Sequence, residues 1–275
     1  MDVSGIVRLA FIEANRTHDS LGRSGIKKTK QNRFGDLAVR GDFECEEAVI
    51  ETCRKHKLPV TIVSEEHGIV RLAKNPKYLG ILDGIDGSSN YIKGFGKKRY
   101  GTIFSVFGGA DPKYSDWLCG GTFEHSPVPR LLFAEKGKGA FLNGKRVFCS
   151  GETVPLRNRL LVDGSGKYDF SPVIERTFIK PLRTLKLSGL RPTQASYIDV
   201  ASGKADAFLQ CTRKSNLEIA GMYGVIREAG GVTVSLDGKE LGGRKYFSFG
   251  QKEFLPIIVA ATTELARRII GKINE

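Results

Sequence analysis

The sequence has little that points to a membrane, to secretion or to a cysteine-based metal centre. Its 275 residues contain no run that approaches the roughly 20 apolar residues of a membrane helix. The N-terminus lacks a basic segment followed by an apolar core. The five cysteines are scattered and include no Cys-x-x-Cys pair, which argues against a disulfide framework and a zinc site. We therefore expect a cytoplasmic protein with apolar, packed cysteines.

Signatures of nucleic-acid binding are also missing, although the formal net charge is +13. The 43 lysines and arginines are spread along the chain, without zinc-finger spacing, a ribonucleoprotein signature or Arg-Gly repeats. We find no internal repeat or low-complexity tract. Because a diffuse positive field attracts small polyanions, we expect a phosphorylated metabolite as partner, and neither nucleic acid nor membrane.

The composition is that of a globular protein, with 40% hydrophobic and 27% charged residues. The length fits one compact unit of two lobes, or two closely packed domains. We expect the second lobe to begin near Gly151, since Leu160-Leu-Val opens a new strand-like segment. Periodicity alone supports only a mixture of helix and strand.

The stretch from Tyr78 to Gly94 carries the clearest chemistry. A short apolar strand pattern gives way to Asp83 and Asp86, whose carboxylates a tight turn can direct at one cation. If a helix begins near Ser88, its amide N–H groups face the same space and can bind phosphate. An ordinary Asp-Gly turn with Ser88 as an N-cap remains the alternative. The spacing excludes an EF-hand.

Two further acidic positions lie at the ends of predicted elements. Glu65 follows the predicted strand Val60–Ser64, where catalytic groups on a scaffold are often found. Asp42 stands at the head of a predicted helix. The simpler alternatives are a solvent-facing glutamate and an N-cap aspartate.

Four segments, in order, resemble the inositol monophosphatase family. The segment Asp83-Gly-Ile-Asp-Gly-Ser-Ser-Asn90 is similar to its Asp-Pro-Ile-Asp-Gly-Thr-x-Asn signature. Val63–Glu66 resembles its Gly-Glu-Glu element, Lys136–Gly144 its hairpin and Ile226–Gly231 its Glu-Ala-Gly-Gly helix end. The resemblance extends over roughly residues 30 to 262. It includes the archaeal-type inositol monophosphatase/fructose-1,6-bisphosphatase members. It implies that residues 1–275 are a single catalytic unit, with an N-terminal metal-binding lobe over about residues 1–150 and a C-terminal substrate lobe over about 151–275.

The resemblance implies a fold and an activity. The fold would be an αβαβα layered sandwich of mixed α/β (α+β) type, like that of the fructose-bisphosphatase-like sugar phosphatases. The activity would be Mg²⁺-dependent hydrolysis of a phosphomonoester by an activated water, with two or three ions in each site. Two ions about 3.5 to 4 Å apart can stabilise both the attacking and the leaving oxygen. Homodimers are common in this family.

The resemblance also implies roles for individual residues. One Mg²⁺ would be held by Glu65, Asp83, the Ile85 carbonyl and Ser88. The second would be held by Asp83, Asp86 and Glu218. Asp42, Glu65 and Ser88 would be catalytic, orienting the attacking water, and the N–H groups of Gly87 and Ser88 would bind the phosphate.

The chain departs from the family pattern at several of these positions. Glu218 stands where the family has aspartate, and the extra methylene displaces the carboxylate by about 1.5 Å, against a metal–oxygen bond of roughly 2.1 Å. Leu217 replaces tryptophan, Gly84 replaces proline and Ser88 replaces threonine. Glu218 has the alternative role of complementing the dipole at a helix start. A non-catalytic, phosphate-ligand-binding member of the family is therefore a rival.

The substrate is expected to be inositol 1-phosphate, fructose 1,6-bisphosphate or both. Arg191, where the inositol enzymes carry a small residue, would grip a second phosphate bidentately. Arg213 is a comparable substrate-binding candidate, as is Lys214 beside it. The basic segment from Gly22 to Gly35 is either a solvated loop or a flap over the site. A 3′-phosphoadenosine 5′-phosphate phosphatase is the nearest alternative enzyme.

Overall fold

The computed structural model describes residues 1–32, 34–35, 37–163, 175–185, 187 and 192–275. Its α-helices are α1 Val3–Leu21, α2 Arg40–Lys55, α3 Ser88–Gly94, α4 Thr193–Ala201, α5 Leu217–Glu228 and α6 Thr263–Asn274. Shorter helical segments are Gly22–Ile26, Tyr114–Asp116, Glu175–Ile179, Lys180–Leu185, Lys214–Asn216, Leu241–Gly243 and Tyr246–Ser248. Over these described ranges, none of the helices combines the length and the apolar character that crossing a membrane requires.

The strands follow the same chain order. They are β1 Lys28–Gln31, β2 Leu37–Val39, β3 Val60–Ser64, β4 Gly68–Arg71, β5 Tyr78–Asp86, β6 Tyr100–Gly108, β7 Trp117–Ser126, β8 Arg130–Glu135, β9 Gly139–Leu142, β10 Lys145–Val147, β11 Leu160–Val162, β12 Ala207–Cys211, β13 Val232–Ser235 and β14 Pro256–Ala260. Eight of the described strands form a large sheet in the order β10-β9-β8-β7-β6-β5-β3-β4. Within it β3 and β5 run parallel, and the other neighbours are antiparallel.

Strand β5 lies inside the large sheet and is covered on both faces. Every residue after Tyr78 in this strand is buried, which explains why its first half, from Leu79 to Leu82, shows no alternation of apolar and polar residues. Helices α1 and α2 pack on one face, with Phe11 and Val49 in the core between helices and sheet. Helices α4 and α5 pack on the opposite face.

The smaller sheet, in the order β11-β12-β14-β13, begins at Leu160. Helix α4 contacts its strand β12, and α6 packs on the outer side against β14. The layers are therefore helix, sheet, helix, sheet and helix, which confirms the predicted αβαβα sandwich. The division into two lobes near residue 150 remains a prediction.

Three local predictions need correction. The basic segment after α1 forms a short 3₁₀ turn and strand β1, which pairs with β2, so it is not simply a solvated loop; its alternative role as a flap over the site stays a prediction. The single hairpin expected around Lys136–Gly144 is part of two successive hairpins, because β9 pairs with both β8 and β10. Asp42 is not the N-cap of α2. Val39 occupies that position, and the Asp42 carboxylate accepts the Val39 N–H at 3.1 Å.

Candidate active site

The register of two parallel strands brings the first two acidic segments together. Ser64 at the end of β3 lies beside Leu82 of β5, and the Glu65 N–H donates to the Leu82 carbonyl at 3.2 Å. Because β3 and β5 run parallel in this register, Glu65, just after the end of β3, lies next to Asp83 of β5. Two segments about twenty residues apart in sequence thereby supply one site.

A tight turn joins β5 to α3 at this edge. Gly87 adopts φ 94°, a left-handed conformation that glycine reaches without strain, and α3 begins at Ser88 as predicted. The first intrahelical hydrogen bonds come from Asn90 and Tyr91 to the Gly87 carbonyl, at 2.8 and 3.0 Å. The amides of residues 87–89 precede these bonds, so they belong to the group that a helix start offers to an anion.

The Ser88 hydroxyl connects this turn to helix α2. Its Oγ lies 3.0 Å from the Ile85 carbonyl oxygen and 3.3 Å from Asp42 Oδ1. Asp42 is only 4% exposed, and burial raises the pKa of its carboxyl well above the usual value, against the opposing hydrogen bond from Val39. The structure thus places Asp42, Ile85 and Ser88 together.

Three buried carboxylates converge at the centre of the site. Asp83, Asp86 and Glu218 each place one oxygen so that all three atoms lie within 4.8 Å of one another. The three residues are 4%, 7% and 3% exposed. Carboxylate oxygens are the donors that Mg²⁺ and other hard cations prefer, so this set of ligands fits a divalent metal ion.

The pKa shifts of the three carboxyl groups also fit a site for a divalent metal ion. Burial, followed by the charges of Glu65 and Asp86, raises the pKa of Asp83 well above its ordinary value. Burial and the neighbouring Glu218 raise the pKa of Asp86 to about 8, and burial also raises that of Glu218. Gathering several negative charges away from water is unfavourable without positive charge among them. A bound cation would supply that charge.

Glu218 reaches the cluster because of the unusual backbone that precedes α5. Lys214, Ser215 and Asn216 have φ values of 46°, 55° and 57°, a left-handed conformation that costs about 1 kcal/mol or more per non-glycine residue. Hydrogen bonds stabilise the turn, since Asn216 Nδ2 donates to the Phe249 carbonyl at 2.5 Å and the Tyr246 hydroxyl donates to the Ser215 carbonyl at 2.8 Å. The turn sets the start of α5, so the longer glutamate side chain still meets Asp83 and Asp86.

Two basic residues lie among these acids. Arg213 Nη2 lies 3.2 Å from both Glu218 Oε1 and Asp163 Oδ2 and 3.3 Å from Thr193 Oγ1, and its side chain is 9% exposed. Lys214 Nζ lies 2.7 Å from Glu65 Oε1. The structure therefore surrounds Arg213 with carboxylates of the protein itself, and its predicted contact with substrate stays a prediction. Arg191 lies outside the described residues.

Glu46 is a residue that the sequence analysis missed. Its fully buried carboxylate accepts the N–H groups of Glu65, Glu66 and His67 at 3.0 to 3.3 Å, the ring nitrogen Nδ1 of His67 at 2.9 Å, and the Ser64 hydroxyl. Several charge-assisted hydrogen bonds to one carboxylate fix the turn that follows β3. Glu46 thereby orients Glu65.

Two further partners hold the acidic ligands in place. Asn32 Nδ2 donates to Glu65 Oε1 at 3.0 Å and to Glu66 Oε1 at 3.1 Å. The Gln194 N–H, in the first turn of α4, donates to Asp86 Oδ2 at 2.6 Å. Burial raises the pKa of Glu66 to about 7.

Steric crowding explains why position 84 carries a glycine. A Cβ built on Gly84 would lie 2.1 Å from the Asp42 carbonyl oxygen and 2.9 Å from Glu46 Cγ. Helix α2 therefore approaches the aspartate turn so closely that no side chain fits there. The departure from the proline of the family signature accompanies this close approach.

Comparison with known proteins identifies the family of the chain and agrees with its fold. The sequence model of the inositol monophosphatase family matches residues 4–275. A fructose-1,6-bisphosphatase/inositol-1-monophosphatase from Thermotoga maritima is 28% identical over 88% of this chain and 89% of its own length. A protein of the same name from Methanocaldococcus jannaschii is 31% identical over 76% of this chain and 74% of its own length.

Solved structures show the same fold. The crystal structure of the extragenic suppressor protein suhB from Bartonella henselae aligns over 99% of this chain and 98% of its own chain, with a TM-score of 0.78 and 18% sequence identity. Together with the sequence matches, the fold and site define the class of protein as a phosphoric monoester hydrolase. More particularly, the chain belongs to the inositol monophosphatase family.

Proposed function

We propose that the chain is a Mg²⁺-dependent phosphomonoesterase that acts on a small sugar or polyol phosphate, namely inositol 1-phosphate, fructose 1,6-bisphosphate or both. The observation that carries the proposal is the convergence of Asp83, Asp86 and Glu218 within 4.8 Å, beside the first amides of α3. The names of the relatives from Thermotoga maritima and Methanocaldococcus jannaschii support both substrates.

Five groups of the chain would hold the ions. They are the carboxylates of Glu65, Asp83, Asp86 and Glu218 and the carbonyl oxygen of Ile85. When bound, Mg²⁺ supplies Lewis-acid chemistry, lowering the pKa of water and neutralising charge on the phosphoryl group. The expected number of two or three ions per site is part of the proposal.

The remaining groups orient the reactants. Ser88 Oγ lies between Asp42 and the Ile85 carbonyl, and it would orient the attacking water together with Glu65 and Asp42. The amides of Gly87 and Ser88 would hold the phosphate oxygens as negative charge shifts in the transition state. Water attacks phosphorus directly and the alcohol leaves, so no phosphorylated residue forms.

The contacts of Arg213 also indicate a positioning role in this scheme. Because its guanidinium joins Asp163 to Glu218, it fixes the carboxylate that enters the metal cluster. Direct substrate binding by Arg213 and Arg191 remains a prediction, as does the homodimer.

Phosphate release from a panel of esters, with and without Mg²⁺, tests the proposal. We expect Mg²⁺-dependent release from inositol 1-phosphate or fructose 1,6-bisphosphate and a loss of at least about 100-fold in Asp83→Asn, because even partners of metal ligands are worth 10- to 100-fold. Asp111→Asn is the matched control, since Asp111 is 53% exposed and pairs with Lys245 at the surface; it should behave as wild type.

Two other outcomes would contradict the proposal. Preferred turnover of 3′-phosphoadenosine 5′-phosphate would refute the assigned substrate class. No release from any ester would indicate a non-catalytic binding protein of the same family.

A further inference from the structure

A β-bulge lies within the aspartate turn, residues 83–87. Between Asp83 and Asp86, two residues of β5 stand opposite the single residue Thr102 of β6. An extra residue of this kind interrupts the ladder of hydrogen bonds and bends the strand, and bulges are frequent beside active sites because they redirect nearby groups. The Ile85 carbonyl, which we assign to metal binding, belongs to the bulge. Whatever fixes the bulge therefore also fixes a proposed metal ligand.

The side chain of Thr102 holds the other residue of the bulge, Gly84. Its hydroxyl donates to the Gly84 carbonyl at 2.6 Å. A carbonyl oxygen only accepts hydrogen bonds, so the single hydroxyl proton is used in this contact. Both residues are buried, so water is not at hand to replace the bond. Gly84 also has no room to shift toward α2, because a Cβ built on it would lie 2.1 Å from the Asp42 carbonyl oxygen.

His125 of β7 holds the Thr102 side chain in this orientation. Its Nε2 lies 2.9 Å from Thr102 Oγ1. Because the hydroxyl proton is given to Gly84, the ring nitrogen must donate to the hydroxyl oxygen. Two side chains of α1 hold the ring in turn. His18 stacks on it at a centroid distance of 4.4 Å, and the Asn15 side chain lies 3.0 Å from Nδ1.

We propose that Thr102 and His125 are positioning residues of the metal site. Together they hold the bulge in the form that presents the Asp83 carboxylate and the Ile85 carbonyl to the ion. His125 acts through Thr102, because its ring reaches the bulge only by way of that hydroxyl. The inference rests on the proposed function, since the groups that the pair positions are those that we assign to metal binding.

Titration of the full chain with Mn²⁺, with free Mn²⁺ measured by electron paramagnetic resonance, tests the role of Thr102. Thr102→Val keeps the shape of the side chain and removes the donor to the Gly84 carbonyl. It should weaken Mn²⁺ binding by about tenfold or more, the loss expected for a partner of metal ligands. Thr102→Ser keeps the hydroxyl and should resemble wild type.

Thr122→Val is the matched control. Thr122 is a fully buried residue of β7 whose hydroxyl donates to the Thr102 carbonyl at 2.9 Å. The control therefore loses the same kind of hydrogen bond, one strand further from the aspartate turn. It should lose about as much stability to urea as Thr102→Val, yet bind Mn²⁺ like wild type. If the two valine variants bind Mn²⁺ equally well, Thr102 does not position the site.

A double-mutant cycle tests whether His125 acts through Thr102. His125→Phe keeps a ring against His18 and removes the donor. Alone, it should weaken Mn²⁺ binding by about two- to tenfold, the worth of one neutral hydrogen bond. Combined with Thr102→Val it should cause no further loss, because the hydroxyl that links the two residues is already gone. Unchanged binding in His125→Phe, or losses that add in the double variant, would overturn the role of His125.

Hydrogen exchange of the metal-free protein separates this inference from the proposed function. The amides of residues 83–88 should exchange faster in Thr102→Val than in Thr122→Val, because the bulge has lost a restraint. Equal exchange, in a chain whose wild type binds Mn²⁺ and releases phosphate, would overturn only the positioning pair. A wild type that neither binds Mn²⁺ nor releases phosphate would refute the proposed function, and the exchange rates would still show whether the pair holds the bulge.

Discussion

Replacing Glu46 with glutamine should loosen the turn that presents Glu65. Glutamine keeps one oxygen, which can still accept the amides of Glu65 and Glu66 at 3.0 and 3.3 Å. It puts an NH₂ group where the second oxygen accepts the His67 amide at 3.2 Å and His67 Nδ1 at 2.9 Å, beside the Ser64 hydroxyl. Donors would then face a donor in a fully buried position.

The size of the effect follows from the number of bonds lost. A hydrogen bond to a charged group contributes about 1.5–3 kcal/mol, and at least two such bonds disappear. The Ser64 hydroxyl can rotate to accept from the new amide, so we expect a loss near the lower limit, about 3 kcal/mol. Because typical domains are stable by about 5–15 kcal/mol, the variant should still fold. A less firmly held Glu65 should lower Mn²⁺ affinity and kcat/KM by about 10- to 100-fold.

Urea unfolding of the metal-free protein and Mn²⁺ titration measure the two effects separately. Glu44→Gln is the matched control, since it makes the same change on the same helix at a side chain that is 40% exposed and pairs with Arg40. It should change the unfolding free energy by no more than about 0.5 kcal/mol. If the two glutamine variants are equally stable and bind Mn²⁺ equally well, Glu46 does not organise the turn.

The other predictions concern the aspartate turn. Gly84→Ala should lower the unfolding free energy by about 1–3 kcal/mol and impair phosphate release, because the new Cβ would collide with the Asp42 carbonyl oxygen. Gly243→Ala is the control and should be near neutral, because no atom lies within 4 Å of a Cβ built there. Equal losses of stability in urea unfolding of the two variants would count against a steric role of position 84. In the presence of EDTA, raising the pH from 7 to 9 should lower the free energy of unfolding by about 1 kcal/mol through the ionisation of Asp86 alone. The pKa of Asp86 in the folded protein, about 8, exceeds its pKa in the unfolded chain, so stability is lost as the pH rises through 8. A melting temperature that rises between pH 7 and pH 9 would refute this expected loss of stability.

Local sequence signals located most of the elements that carry the site. The strand before Glu65, the strand and turn through Asp83, and the helix starts at Ser88 and Glu218 all follow from short patterns of apolar, glycine and acidic residues. Their convergence could be expected only from the family resemblance. It depends on sheet register, such as Ser64 beside Leu82, and no single segment encodes that register.

The features of the site that local sequence patterns did not reveal depend on contacts between distant segments. Asp42 reads as an N-cap, but the chain enters α2 from a strand and Val39 takes that position. Glu46 looks like a helix-surface acid, yet it lies among the buried positions of α2 with Cys45 and Val49. The negative charge of Glu46 next to the apolar Cys45 and Val49 was the sequence signal that could have identified it as a buried acid. Arg213 gives no local sign of burial, because its partner Asp163 comes from a segment fifty residues earlier.

Asp83, Asp86 and Glu218 should together bind a divalent ion at the site of phosphate-ester hydrolysis. Anomalous diffraction from a crystal soaked in Mn²⁺ would show whether they do. We predict a metal peak bonded to oxygens of all three carboxylates, at about 2.1–2.2 Å, close to the distances of Mg²⁺. Well-ordered carboxylates with no metal peak between them, at Mn²⁺ concentrations that support phosphate release, would show that these residues do not form the metal site.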